Sequence, residues 1–240
     1  MRMKPILFSS EMVRAIIGGR KTKTRRIIKP QPKIPQNEND IEAGEVVFWK
    51  GQVCRMKEPR ARSMKAAGNL IAEIIEPYSP GDILWVRETW KQYTTGTAGP
   101  GLIDGYLYKA DEPQDTSGMM VEDRWHPSIH MPRNAARIFL QITDVYTDRL
   151  QAISEDDAMA EGASGGEYLD EQGNSMGIVY PHEEFINIWN STINPDELSL
   201  YGWDANPWVW VIEFRPVDFK TALQISGSFG ASQDVLMPAT

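Results

Sequence analysis

GGRKTKTRRIIKP, residues 18–30, is the stretch on which the reading of the fold turns. Five of the seven residues from Arg20 to Arg26 are basic, although the 240-residue chain carries a formal net charge of −8. Just upstream, SEMVRAII (10–17) predicts a short helix. Ser9 or Ser10 can cap it, Glu11 suits its N-terminal dipole, and Met12 with Ile16 and Val13 with Ile17 form apolar i,i+4 pairs. Gly18 and Gly19 end it, because glycine enters the left-handed C-cap conformation without a side-chain clash. The basic run then continues as an extended segment that Pro30 and Pro32 close. Strand alternation puts Thr22, Thr24 and Arg26 on one face and Lys21, Lys23 and Arg25 on the other. Lys21 joins Thr24 and Arg26 only if it sits on a turn before the strand.

Outward from this segment the chain reads as short strands with few helices. QPKIPQNENDIEAGE (31–45) is a polar loop. VVFWKGQVCRM (46–56) has the form of a hairpin around Lys50-Gly51, and NLIAEII (69–75) is a strand or a short helix. After the Pro80-Gly81 turn, Ile83, Trp85 and Arg87 alternate with Leu84, Val86 and Glu88 in a strand. GYLYKA (105–110) is another strand, and ARIFLQITDVYTDRL (136–150) a long one with a break near Asp144. In SEDDAMAEG, Ser154 and Asp157 approximate a capping box and Gly162 ends the helix. Residues 163–180 are glycine-rich with no clear period. PHEEFINIWNSTI (181–193) is a helix with Pro181 in its first turn, and PWVWVIEFRPV (207–217) a final apolar strand. From about Phe219 to residue 240 the chain reads as a flexible tail. The order predicts an α+β fold, a small mixed β-barrel with peripheral helices.

Hydrophobic residues are 41% and charged residues 24%, ordinary globular usage, so the chain is expected to bury a core. No apolar run approaches the roughly 18 residues a membrane helix needs. Cys54 is the single cysteine, which excludes an internal disulfide and fits a cytosolic protein. Residues 1–65 hold 16 Lys/Arg against 6 Asp/Glu, a net of +10, and residues 66–240 hold 9 against 27, a net of −18. That asymmetry points to a nucleic-acid or nucleotide partner on the basic side, while the acidic remainder disfavours non-specific duplex binding. A solvated loop is the ordinary reading of such a basic run. The sharper reading is a site where cations and backbone N–H groups meet a phosphate or a developing oxyanion.

G-x-K-x-x-x-x-R, present as Gly19, Lys21 and Arg26, resembles the signature of the ASCH family. Thr24 stands where that signature usually has Glu. The GRKT-x-T version resembles the subgroup of small bacterial ASCH amidohydrolases that deacetylate N4-acetylcytidine. PGDILWVRETW and PWVWVIEF are similar to later strands of the family, and HMPR (130–133) and GWDANPW (202–208) resemble larger ASCH proteins of phages and prophages. The resemblance spans most of residues 4–217. It implies a PUA-like barrel over residues 1–218 with long loop insertions near 31–68, 94–135 and 163–180, in the cytoplasm of a bacterial host. It implies binding of RNA, single-stranded nucleic acid or a modified nucleoside, with no cofactor. The alternative it implies is a hydrolase: an amidohydrolase acting on acylated cytidine, or a ribonuclease.

In the amidohydrolase subgroup a Lys and a Thr of the motif and a downstream Glu are catalytic. Lys21 and Thr24 match directly, and Glu161 is the best match for the Glu, with Glu155 as the fallback. In such a site Thr24 or a water is the nucleophile, Lys21 the base, Glu161 the acid and Arg26 the oxyanion partner. Gly19, Arg20, Lys23, Arg25, Trp85 and Arg87 are candidate substrate-binding positions; Arg20, Lys23 and Arg25 are expected to face solvent or phosphate. Trp85 can stack on a base, although a core Trp is the plainer reading. His126 and His130 are four apart with Pro127 between them, so helical metal spacing fails and no metal site is expected. Asp156-Asp157 and Glu183-Glu184 read as solvated helix faces.

Overall fold

The computed structural model describes residues 2–34, 46–49, 52–57, 71–74, 77–95, 105–169 and 172–227. It is a mixed α+β structure with several sheets and few helices. In chain order the first elements are β1 (Met3–Leu7), α1 (Ser10–Ile17), β2 (Lys23–Ile27), β3 (Val46–Trp49), β4 (Gln52–Lys57) and β5 (Ile71–Ile74). Next come β6 (Ile83–Arg87), β7 (Trp90–Thr94), β8 (Gly105–Tyr108), β9 (Met120–Val121) and β10 (Phe139–Arg149). The last are α2 (Glu155–Ala160), β11 (Gly166–Leu169), β12 (Ser175–Val179), α3 (Pro181–Ser191), α4 (Leu198–Tyr201), β13 (Trp208–Val217) and α5 (Phe219–Ser226). Among the described residues no closed barrel is found, and no helix is long and apolar enough to cross a membrane.

The chain divides into two compact units. The first comprises Met1–Thr22, Pro80–Thr143 and Glu213–Thr240. Its sheet has the order β1-β6-β10-β13, with β1 parallel and β10 antiparallel to β6. Ile83, Leu84 and Val86 of β6 are all fully buried, so this strand is covered on both faces. α5 lies over Ile83 and Phe139 through Ala222. A second sheet, β8-β7-β9, packs Trp90 with Met131 and Ala135. Beside it the Arg137 guanidinium grips the buried Glu88 carboxylate through two 2.9 Å bonds and also binds Asp111.

The second unit comprises Lys23–Ser79 and Asp144–Ile212. Here β13 lies between β10 and β2, and β3-β4-β5 and the β11–β12 hairpin form separate sheets. Its core joins Leu150, Ile153 and Ala158 to Phe185, Trp189 and Ile193 of the α3 region and to Val209 and Val211 of β13. Both long strands, β10 and β13, contribute residues to both units.

Most expected elements form. α1 begins at Ser9, whose hydroxyl accepts the Met12 N–H, and ends in a Schellman pattern. In that pattern Arg20 N–H bonds the Ala15 carbonyl, Gly19 N–H bonds that of Ile16, and Gly19 takes φ +73°. The hairpin over 46–56 pairs Trp49 with Gln52, and 71–74 is a strand. Three regions differ from the sequence reading. β10 runs unbroken through Asp144, whose exposed position lets its polar side chain face water. Gly166–Leu169 and Ser175–Val179 pair as the β11–β12 hairpin, and Gly166 and Gly177 within the strands mask its pattern. The segment after Phe219 opens with α5 rather than a tail: Asp218 accepts the Thr221 N–H at 2.9 Å, Ala222 is buried, and Gly227 ends the helix at φ +69°. Most of the loop expected over 31–45, and residues 228–240, lie outside the described residues.

If α5 is an integral part of the first unit, its cap and its buried face contribute separately. Asp218→Ala is expected to lower the urea midpoint modestly through loss of the N-cap. Ala222→Asp, which places a carboxylate among Ile83 and Phe139, is expected to cost more than about 2 kcal/mol. Urea unfolding of the two variants measures both, and a loosely attached tail would leave the midpoint unmoved.

Candidate functional site

The basic run leaves α1 through Gly18 and Gly19 and enters β2 at Lys23. Before the strand, in the first unit, Arg20 is exposed. Lys21 is buried, with its ammonium 5.5 Å from the centroid of the Phe8 ring and its backbone N–H on the Ala15 carbonyl. The strand proper belongs to the second unit, and its two faces carry different chemistry.

One face bears Thr24 and Arg26. Thr24 is buried, and Arg26 Nη1 donates to its hydroxyl oxygen at 3.1 Å and to the Arg25 carbonyl at 3.1 Å. Burial lowers the Arg26 pKa from its ordinary value, opposed in part by the negative charge of Glu161.

The other face bears Lys23 and Arg25. Lys23 Nζ donates to Asp157 Oδ1 at 2.9 Å. Arg25 Nη2 donates to Asp157 Oδ2 at 2.9 Å, and its Nη1 to Glu161 Oε1 at 3.3 Å. The Arg25 side chain is 1% exposed and that of Glu161 7%. The guanidinium carbon also stands 6.0 Å from the centroid of the Phe185 ring. Residues i,i+2 on a strand are separated by about 6.6 Å, and residues i,i+4 on a helix by about 6 Å. Lys23 and Arg25 on β2 therefore match Asp157 on α2 and Glu161 at its C-cap almost rung for rung. α2 is held in place by the Ser154 hydroxyl, which accepts the Asp157 N–H at 3.1 Å, and it ends at Gly162 with φ +100°.

Sequence reasoning placed Arg25 in solvent or on phosphate and read Asp157 as a solvated helix carboxylate. Both are corrected: Arg25 is buried, and Asp157 anchors it. The signal was available in the shared parity of Lys23 and Arg25 and the i,i+4 spacing of Asp157 and Glu161. Glu155 is exposed and accepts the His182 N–H at 3.1 Å, so it helps start α3. Glu184 Oε2 accepts the Ser164 and Gly165 N–H groups, and Glu183 accepts that of Tyr180, so these carboxylates are also committed locally.

Trp85 and Arg87 lie in the first unit. Arg87 sits 5.4 Å from the centroid of the Trp85 ring and donates to the Ile129 carbonyl. Trp85 packs against the cluster of Ile83, Phe139 and Ala222, the core reading of this residue. His126 contacts Glu122 at 2.9 Å and stacks at 4.8 Å on Trp90, whereas His130 is exposed. Among the described residues no three His, Cys, Asp or Glu side chains are grouped so as to hold a metal. No family model, curated protein or solved structure matches the chain.

The Asp157 carboxyl carries a pH consequence. Burial alone would raise its pKa, but the hydrogen bonds from Lys23 and Arg25 outweigh that effect and leave it below its ordinary value. A carboxyl depressed in the folded state stabilises the protein above its unfolded pKa, and the contribution is lost as pH falls through the folded value. Melting temperature is therefore expected to drop below about pH 4 with a component that Asp157→Asn removes. Equal acid limbs for the two proteins, followed by calorimetry, would place that loss elsewhere.

Proposed function

We propose that the protein recognises a nucleoside-type ligand, a modified base either free or within RNA or another single strand, through the basic segment around β2. The observation that carries this reading is the buried Thr24 hydroxyl held by the desolvated Arg26 guanidinium. Hydrogen bonds offered from a poorly solvated guanidinium are stronger and more directional than those of a solvated lysine. Charge accounting supports a compact ligand over a long phosphate track. Lys23 and Arg25 face Asp157 and Glu161, so at least two of the five cations in the run are offset internally. In this reading the exposed Arg20 contacts a phosphate. Gly19, Lys21, Trp85 and Arg87 enter this reading through the motif resemblance. So does a PUA-like barrel of ASCH type as the parent fold, with which a small mixed α+β structure is compatible.

Hydrolysis is the second reading, favoured by the same hydroxyl. Arg26 donates to Thr24 Oγ1, so positive charge already sits where an alkoxide would develop. Attack by Thr24 or by a water on an N-acyl carbon would form a C–O bond as the C–N bond breaks, with Lys21 taking the nucleophile's proton, and where Thr24 attacks, a water would then hydrolyse its acyl ester. The departing amine would then take a proton, a role the motif resemblance gives to Glu161, with Lys21 as the base. A ribonuclease would draw on the same groups.

Equilibrium binding and product chromatography with N4-acetylcytidine and short RNAs separate these readings. Saturable binding that Arg26→Ala weakens at least about tenfold is the expected result, equivalent to losing one charge-assisted hydrogen bond. Release of cytidine and acetate, or of RNA fragments, would add catalysis. If no ligand binds and none is altered, the nucleoside reading is wrong.

A further inference from the structure

We propose that the outer face of the β8-β7-β9 sheet binds single-stranded nucleic acid, stacking unpaired bases on Tyr93 and Trp125 and meeting their phosphates with Lys91. The surface lies wholly within the first unit and uses no residue of the basic run, so it stands or falls apart from the nucleoside reading.

Register divides the sheet into two faces. β7 and β8 pair Trp90 with Tyr108, Lys91 with Leu107, Gln92 with Tyr106 and Tyr93 with Gly105, and Tyr93 also pairs with Val121 of β9. Directly opposed residues share a face, and successive residues alternate. Trp90, Tyr106 and Tyr108 therefore lie together, and their face packs on Met131 and Ala135. Lys91, Tyr93, Leu107 and Val121 lie on the other. All four are half-buried, and none of them belongs to that cluster.

The chemistry of this second face suits stacking. A Cβ on Gly105 would stand 2.8 Å from Tyr93 Cε1 and 2.9 Å from its hydroxyl oxygen, so the ring leans across onto β8. Glycine is the residue that allows such a close approach. Trp125, also half-buried, follows β9, and the Lys91 ammonium stands 4.5 Å from its ring centroid. A cation able to meet a phosphate is thus set beside a ring on which a base can stack.

Charge selects the occupant. Residues 66–240 carry a net of −18, yet β7, β8 and β9 hold one lysine and no Asp or Glu. Exposed Lys109 follows β8 at the same parity as Leu107, and exposed Arg124 adjoins Trp125. Asp111 and Glu122 are engaged, the first by Arg137 and the second by the Gln92 N–H and His126. Asp123 is exposed beside Arg124. Aromatic rings interleaved with cations fit alternating bases and phosphates. A duplex keeps its base faces stacked on one another, so the occupant is unpaired.

The test titrates the full chain with a fluorescein-labelled oligouridylate of about 12 nucleotides and follows anisotropy and tryptophan emission. Wild type is expected to bind it, to bind the matching oligothymidylate alike, and to bind a duplex of that length much more weakly. Tyr93→Ala and Trp125→Ala are each expected to weaken binding at least about fivefold, the loss of one stacked base. Trp125→Phe keeps an aromatic ring, so it is expected to retain most of the affinity while losing part of the emission change. Two substitutions at Leu107 read the charge: Leu107→Lys is expected to tighten binding and Leu107→Glu to weaken it, although both remove the same apolar contact. Absence of binding by wild type, equal binding of the duplex, or alanine variants indistinguishable from wild type overturns the proposal. So does an emission response in Trp125→Phe equal to that of wild type, a readout that holds even if an alanine variant unfolds. Weaker binding by both Leu107 variants overturns it as well, and would mark the face as a surface for an apolar protein partner.

Discussion

A pair of guanidinium and ammonium groups on one face of a short strand, met by two carboxylates of a short helical segment, governs the arrangement around β2. Taking Arg25 and Glu161 out of water carries a desolvation cost of several kcal/mol per ion. That cost is offset only if the partners stay within hydrogen-bonding reach, so the helix cannot drift relative to the strand without isolating a charge. Asp157 is shared between Lys23 and Arg25, and this sharing lets one partly exposed carboxylate stabilise two cations. Phe185 and the core of Leu150, Ala158 and Trp189 close the same region with apolar contacts. Polar and apolar constraints therefore agree on where α2 must lie.

The electrostatic character of the basic run changes accordingly. Counted along the sequence it is a dense cationic patch on an acidic protein. Counted in space it divides by parity: Lys23 and Arg25 are answered from within, and Thr24 and Arg26 form a desolvated hydroxyl–guanidinium unit on the other face. Long-range attraction scales with uncompensated charge, so such a segment is better suited to short-range recognition than to steering a polyanion. The first unit handles its own buried charge by a different device, a two-point fork between Arg137 and Glu88 reinforced by Asp111.

Elements governed by local chemistry were legible in the sequence. The Ser9 and Ser154 caps, the Gly19 and Gly162 stops, the Trp49–Gln52 hairpin and the apolar β13 all follow from neighbours within a few residues. What escaped depends on distant partners. Asp157 looked solvated because nothing within its own helix pairs with it; its cations lie more than 130 residues upstream in the chain. α5 was hidden because the Ser, Gly and Ala of the longer segment from Phe219 to residue 240 suggest disorder, whereas Ala222 packs with Ile83 and Phe139. β11–β12 was hidden because glycines at φ +140° and +138° interrupt the alternation that marks a strand. Of the candidate site, the segment and its Thr24 and Arg26 face were readable, and the commitment of Arg25 to internal carboxylates was not.

The rung-for-rung match between β2 and α2 also acts as a register lock. Strand side chains alternate with a period of two, so a one-residue slip of β2 would turn Lys23 and Arg25 away and present Thr24 and Arg26 to Asp157 and Glu161. Lys23 would lose its partner, and the buried Thr24 and Arg25 would exchange surroundings that suit neither. Hydrophobic content alone would not forbid that slip, because KTRRI is mostly polar. In this strand the choice between two alignments is made by charge.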